Sequence, residues 1–224
     1  VSPNFSGFQF GLGVVHDDTR LKVANPSLVE KDRLFGVTAG LGYTNGPIYL
    51  GASFDYVNVK NTLNGVNDKT KAWNIGGTYD FDVAKLHLMY GGQVDGTVGG
   101  TGELADTAIS AAAVLARNTN AGDLFGDGLK QHSWLAGLSA PVGDAGKVMF
   151  SYAGNTVKNK DILPNVGVKS HNFALGYRHS LSKRTSVYGV ASYGWSNAKE
   201  RYTGFNGKTK VTATQAIIGL QHRF

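Results

Sequence analysis

The stretch that decides the fold is Ile48–Tyr56, IYLGASFDY. Ile48, Leu50, Ala52, Phe54 and Tyr56 take alternate positions, with Tyr49, Gly51, Ser53 and Asp55 between them. Successive side chains of a strand point to opposite faces, so this segment has one apolar face and one small, polar face. Leu34–Tyr43 before it sets Phe35, Val37, Ala39, Leu41 and Tyr43 against Gly36, Thr38, Gly40 and Gly42. Phe8–Val14 does the same with Phe8, Phe10, Leu12 and Val14.

The alternation continues to the end of the chain. Trp73–Phe81, Leu86–Tyr90, Trp134–Leu138, Val148–Tyr152, Phe173–Tyr177, Val187–Trp195 and Ala216–Phe224 each carry an apolar row free of Asp, Glu, Lys and Arg. Ten strands are therefore predicted, in an all-β fold. A soluble sandwich also alternates, so the rows alone leave a membrane barrel and a soluble all-β binding module both open.

The connections separate those two. Thr44–Pro47, Asp80–Val83, Pro141–Gly146 and Ser180–Thr185 are short. They alternate with long connections at His16–Arg33, Lys60–Lys69, Gly92 to Lys130, Asn155–Gly167 and Asn197–Thr209. Tight turns on one side and long loops on the other are the habit of outer-membrane barrels. Rings near the row ends, including Trp73, Trp134, Trp195 and Phe224, suit the two headgroup girdles of such a barrel. Within the longest connection, Glu103–Arg117 (ELADTAISAAAVLAR) is acidic at its start and basic at its end, as a short helix prefers. It is expected to pack on the barrel rim, the alternative being a flap over its mouth.

Composition narrows the remaining classes. The 224 residues contain 31 Gly, 5 Pro and no Cys, which excludes a disulfide scaffold. No apolar run reaches the roughly 18 residues of a spanning helix, a test to which a strand barrel is invisible. The net charge of +6 favours anionic partners. The basic residues lack the aromatic interleaving expected of a nucleic-acid binder, and no P-loop or dinucleotide fingerprint occurs. The 6 His show no metal-ligand spacing, so neither metal nor cofactor is expected. His16-Asp17-Asp18 at an exterior rim is the one thin enzymatic hint, read here as a polar loop start.

Several motifs then point to one family. Ser2-Pro3-Asn4-Phe5-Ser6-Gly7-Phe8 resembles a strand-turn-strand corner of the Gram-negative trimeric general diffusion porins. Tyr79-Asp80-Phe81 with Ala84-Lys85-Leu86 resembles a further hairpin of that family, and Ser182-Lys183-Arg184-Thr185 its penultimate strand. Gly219-Leu220-Gln221-His222-Arg223-Phe224 is similar to its closing strand, whose terminal Phe the barrel-assembly machinery reads. The resemblance implies a homotrimer in the Gram-negative outer membrane, in contact with lipid and lipopolysaccharide, that passes small solutes. It also implies roughly sixteen strands per barrel.

Placing Val1 at the end of the family's sixth strand leaves one membrane β-barrel domain over 1–224, without its N-terminal strands and constriction loop. The alternative is a self-closed ten-stranded outer-membrane barrel acting as a surface enzyme or adhesin. A narrow barrel needs large inward residues, whereas the inward rows here are rich in Gly, so the first reading is preferred.

If the apolar rows face lipid, the opposite rows face water. Lys85, His87, Lys147, Arg178 and Arg223 are then the positive pore-lining candidates and Asp55 the clearest negative one. The expected function is passive diffusion through a water-filled, anion-preferring pore with no catalytic residue.

Overall fold

The computed structural model describes residues 1–22, 29–61, 66–95, 128–159, 167–202 and 205–223. Ten strands follow in chain order: β1 (Phe8–Lys22), β2 (Val29–Asn45), β3 (Ile48–Asn61), β4 (Val66–Asp80), β5 (Lys85–Val94), β6 (Leu129–Val142), β7 (Gly146–Asn159), β8 (Gly167–Ser180), β9 (Thr185–Tyr202) and β10 (Phe205–His222). Each pairs antiparallel with the next in a single ten-stranded sheet. The expected helix at Glu103–Arg117 lies outside the described residues.

The pairing keeps every apolar row on one face. Phe8 stands opposite Tyr43, Tyr43 opposite Leu50, and Leu50 opposite Gly77. That row continues through Leu88, Ala136, Tyr152, Phe173 and Tyr193. It starts at the turn end of β1 and β2 yet crosses β7 and β8 well up their length. Such a stagger is what tilted strands produce in a barrel wall.

The two faces differ in a way that decides between membrane and soluble protein. Ile75, Leu50 and Ile218 on the apolar face are 56%, 53% and 90% exposed. Among the described residues, the buried hydrophobics are Leu129, Val157 and Val168, and all three point to the opposite face. The small core is thus on the inner side, and among the described residues no second sheet covers the apolar rows. Left in water, a surface of this extent would be an aggregation hazard; against hydrocarbon it is satisfied.

Turn chemistry explains the short ends. Gly46 takes φ 54° between β2 and β3, and Gly143 takes φ 62° between β6 and β7. Asp82 takes φ 67° between β4 and β5, where its backbone N–H donates to Asp80 Oδ1 at 3.1 Å. Ahead of β1, Ser6 and Gly7 both have positive φ, and Phe5 and Phe8 exchange backbone hydrogen bonds of 2.8 and 3.0 Å. The Ser2 N–H donates to the Phe10 carbonyl at 2.7 Å. The corner read from Ser2–Phe8 is therefore a tight hairpin laid along the free edge of β1.

Two expectations need correction. The strands outrun the apolar rows: β1 reaches Lys22 and β2 begins at Val29, where a connection from His16 to Arg33 was expected. Likewise β9 continues to Tyr202 and β10 starts at Phe205. Beyond the hydrocarbon band the outward positions meet headgroups or water. Charge is then permitted on both faces, and the alternation fades while the backbone ladder persists. Second, the alternative in which the ten strands close on themselves is not realised. Among the described residues β1 and β10 do not pair, and the sheet order is open.

Candidate pore lining

The inner face is built by residues one position out of phase with the apolar rows. Across β1 to β4 it is rich in glycine: Gly42, Gly51 and Gly76 stand side by side with the Tyr49 ring against the first two, and Gly11 faces Gly40. With Ser53, Asn74 and Thr78 they line a shallow hollow of about 590 Å³. Asp55 stands on this face between Thr38 and Ala72. Among the described residues the side-chain oxygens of Gln131, Asn155 and Asn172 also lack hydrogen-bond partners. They are acceptors fit for solvent in a wet lumen.

Cations enter this face near the short turns. Lys85 follows the β4–β5 turn and lies 3.7 Å from Asp80, whose side chain shares the face. The wall charge expected at Lys85 is therefore partly cancelled. His87, two residues on, shares a 3.2 Å hydrogen bond with the Ser139 hydroxyl. Lys147 and Arg178 are direct cross-strand neighbours on β7 and β8. Like charges so placed repel, so local stability does not account for the pair. Arg178 is half-buried and donates from Nε to the Ser186 hydroxyl at 3.1 Å. Arg223 follows β10 on the same side, its backbone N–H donating to the Arg184 carbonyl at 2.9 Å. The structure thus groups Lys147, Arg178 and Arg223 at one end of the inner face, and leaves Asp55, His87 and the Lys85–Asp80 pair apart from them.

The outer face carries the girdles. Trp73 packs on Tyr90 with ring centroids 5.4 Å apart, and Trp195 stacks on His171 at 5.0 Å and on Phe173 at 5.7 Å. Glycines seat the indoles: a Cβ at Gly92 would lie 2.9 Å from the Trp73 ring nitrogen, and one at Gly154 would collide with Trp134. Phe224 lies outside the described residues.

Sequence reasoning put His222 in an outward row but missed the other histidines of this face. His132, His171 and His179 stand on it with Nδ1 at 3.0, 2.8 and 3.1 Å from the hydroxyls of Tyr90, Tyr152 and Tyr177. His222 meets the Thr185 hydroxyl at 2.9 Å. Each ring thereby has one polar edge satisfied, while the faces of His132, His171 and His179 pack on aromatic neighbours. Only the odd-even position of each His within its strand could have disclosed this.

A second feature was visible in composition but not in placement. Lys60, Lys69, Lys71 and Lys210 were expected in or beside loops; together with Lys130, Lys158 and Lys169 they stand exposed on strands. All occupy outward-facing positions at the loop end: Lys71 opposes Tyr56, Lys130 opposes Lys158, and Lys169 opposes Thr156. Among the described side chains on that stretch of face the carboxylate is Asp18, which pairs with Arg33 at 3.5 Å.

Comparison with known proteins agrees with this geometry. The family model described as Gram-negative porin matches residues 1–201. An outer membrane porin of Bordetella pertussis is 36% identical over 229 residues, covering 100% of this chain and 56% of that protein. Outer membrane porin protein 32 of Delftia acidovorans is 31% identical over 232 residues, covering 100% and 54%. Among solved structures, the anion-selective porin from Comamonas acidovorans aligns with a TM-score of 0.63 at 26% identity, over 100% of this chain and 57% of that one. The chain spans about half the length of the curated relatives it matches. With its antiparallel sheet, lipid-ready outer face and short turns at one end already described, the match over 1–201 and the 36% identity across the whole chain show that this chain belongs to the Gram-negative porins of the outer membrane.

Proposed function

We propose that this chain forms part of the wall of a water-filled pore through which small hydrophilic solutes diffuse passively, anions ahead of cations. The observation that carries the reading is the adjacency of Lys147 and Arg178 on the inner face, with Arg223 at the same end. Fixed cations on a low-dielectric wall raise the local concentration of anions. Screening over about 8 Å at physiological salt makes this a bias rather than a filter. The anion selectivity stated for the Comamonas porin supports the same direction. Diffusion needs no catalytic residue and no cofactor, and none is assigned. The edges of β1 and β10 require partners in lipid, because unpaired backbone groups there cost several kcal/mol each; further strands completing one barrel domain would supply them.

Two partners belong to this reading. The outward lysines at the loop end sit where the outer leaflet presents phosphates, so lipopolysaccharide is their proposed counter-charge. A homotrimer is proposed from the family resemblance and from the outer face of β10. There Thr212 and Thr214 stand in line with Trp195 and Tyr193, so β10 sets small side chains beside the rings of its neighbour. This ring-free stretch of wall admits close approach of a second subunit.

The test is a reversal potential across a planar bilayer under a potassium chloride gradient, using protein purified from outer membranes. A potential of the sign set by chloride is expected. A potential set by potassium would overturn the anion preference, and the absence of any conductance would overturn the channel.

A further inference from the structure

Beyond a diffuse positive wall, the turn end of β8, β9 and β10 encloses a hollow of about 290 Å³. Four cations line it, Arg178, Lys183, Arg184 and Arg223, against one carboxylate, Asp144. We propose that this hollow is a docking site for the phosphoryl group of a passing solute, the proposal resting on the porin reading above.

The surroundings are prearranged. Ser182 Oγ accepts from the backbone N–H of Arg184 at 3.2 Å and of Thr185 at 3.1 Å, which holds the turn. The Arg184 carbonyl accepts the Arg223 N–H, so the two arginine backbones are tied directly to each other. Arg178 is anchored through Nε to buried Ser186, which leaves its terminal N–H groups for a ligand. Planar guanidinium forks match the paired oxygens of a phosphoryl group and gain nothing comparable from a monatomic chloride. Ser186, Gln221 and Arg178 all stand on the inner face, in step with Ser180 and Tyr188 and out of step with the lipid-facing His179, Val187 and His222. The site therefore opens to the lumen mouth rather than to the bilayer, and a dissolved phosphate reaches it more readily than a lipid headgroup does.

Inorganic phosphate is the probe. Added to the turn side of the purified protein in a planar bilayer, it should reduce chloride conductance along a saturating curve. Replacing Arg184→Gln together with Arg223→Gln should raise the half-blocking concentration about tenfold or more, the loss of at least one charge-assisted hydrogen bond. Lys158→Gln, on the outer face at the opposite end, should leave it unchanged. Channel openings of the double variant, whatever their chloride conductance, show in the same record that the barrel has assembled. A single Arg184→Gln, exposed in its turn, repeats the comparison without touching β10. Block that does not saturate, or that is unchanged in both variants, overturns the dock and leaves the channel standing. Block that disappears in bilayers rich in anionic phospholipid would assign the hollow to headgroups and overturn the solute proposal. Silence of the native protein overturns the channel itself.

Discussion

Lys130, Lys158 and Lys169 at the loop end stand on the same face as Trp134 and Trp195. Lys147, Arg178 and Arg223 at the turn end stand on the other. On β7 the reversal occurs within a single strand, since Lys147 lies inward and Lys158 outward, at positions of opposite parity. The sign of charge does not distinguish the two groups; what differs is the solvent each meets. Above the apolar band the outward side leaves hydrocarbon, and a lysine there would gain about 1 kcal/mol from the anionic leaflet proposed above. Within the band an outward cation would meet hydrocarbon, so cations near the turns appear on the inner face.

The strongest way to break this comparison is to move a cation into the band. Ile75 and Asn74 are sequence neighbours on opposite faces of β4, Ile75 lying between the outward rings of Trp73 and Tyr79. Ile75→Arg should cost about 2–4 kcal/mol of folding stability in lipid. Asn74→Arg should leave stability nearly intact and alter conductance instead. Urea unfolding from vesicles measures the first and bilayer recording the second. Equal costs would reject the facing of the whole sheet.

Next in size is the loop-end belt. Lys130→Gln, Lys158→Gln and Lys169→Gln combined should weaken attraction to lipopolysaccharide by about 3 kcal/mol at low salt, at roughly 1 kcal/mol per cation. Co-purified lipopolysaccharide should fall, high salt should erase the difference, and ion selectivity should not move. A change in selectivity would place these lysines in the pore. At the turn end the expectations reverse: Lys147→Glu with Arg178→Glu should lower the chloride-to-potassium permeability ratio roughly tenfold without changing bound lipopolysaccharide.

Most of the fold was legible because hydrocarbon and water impose a period of two that no other constraint disguises within the band. The inward positions of Asp55, Lys85, His87, Lys147 and Arg178 followed from that period alone. Legibility ended where the band ended. Lys60, Lys71 and Lys210 looked like loop residues, because a charge on the outward side breaks the very pattern by which a strand is recognised. The mouth site was legible in part. Arg178 and Arg223 were exposed by parity, whereas Arg184 sits in a turn, where no period exists, and only the fold of β8 to β10 brings it beside them.

The finest test concerns Lys85, an inward cation at the turn end that the comparison would group with Lys147. Its neighbour Asp80 changes that: the charges lie 3.7 Å apart on side chains 38% and 44% exposed. A pair so open to solvent contributes no more than about 1 kcal/mol to stability, yet its summed charge is near zero at the wall. Lys85→Gln would leave Asp80 as a net negative charge, and Asp80→Asn would leave Lys85 as a net positive one. The two variants should therefore shift the permeability ratio in opposite directions, each by less than about twofold because screening confines the effect to roughly 8 Å. Reversal potentials at low salt have the resolution to separate them. If Lys85→Gln reduced anion preference as strongly as loss of Lys147 and Arg178, the pairing with Asp80 would not govern Lys85, and face alone would decide what a cation does here.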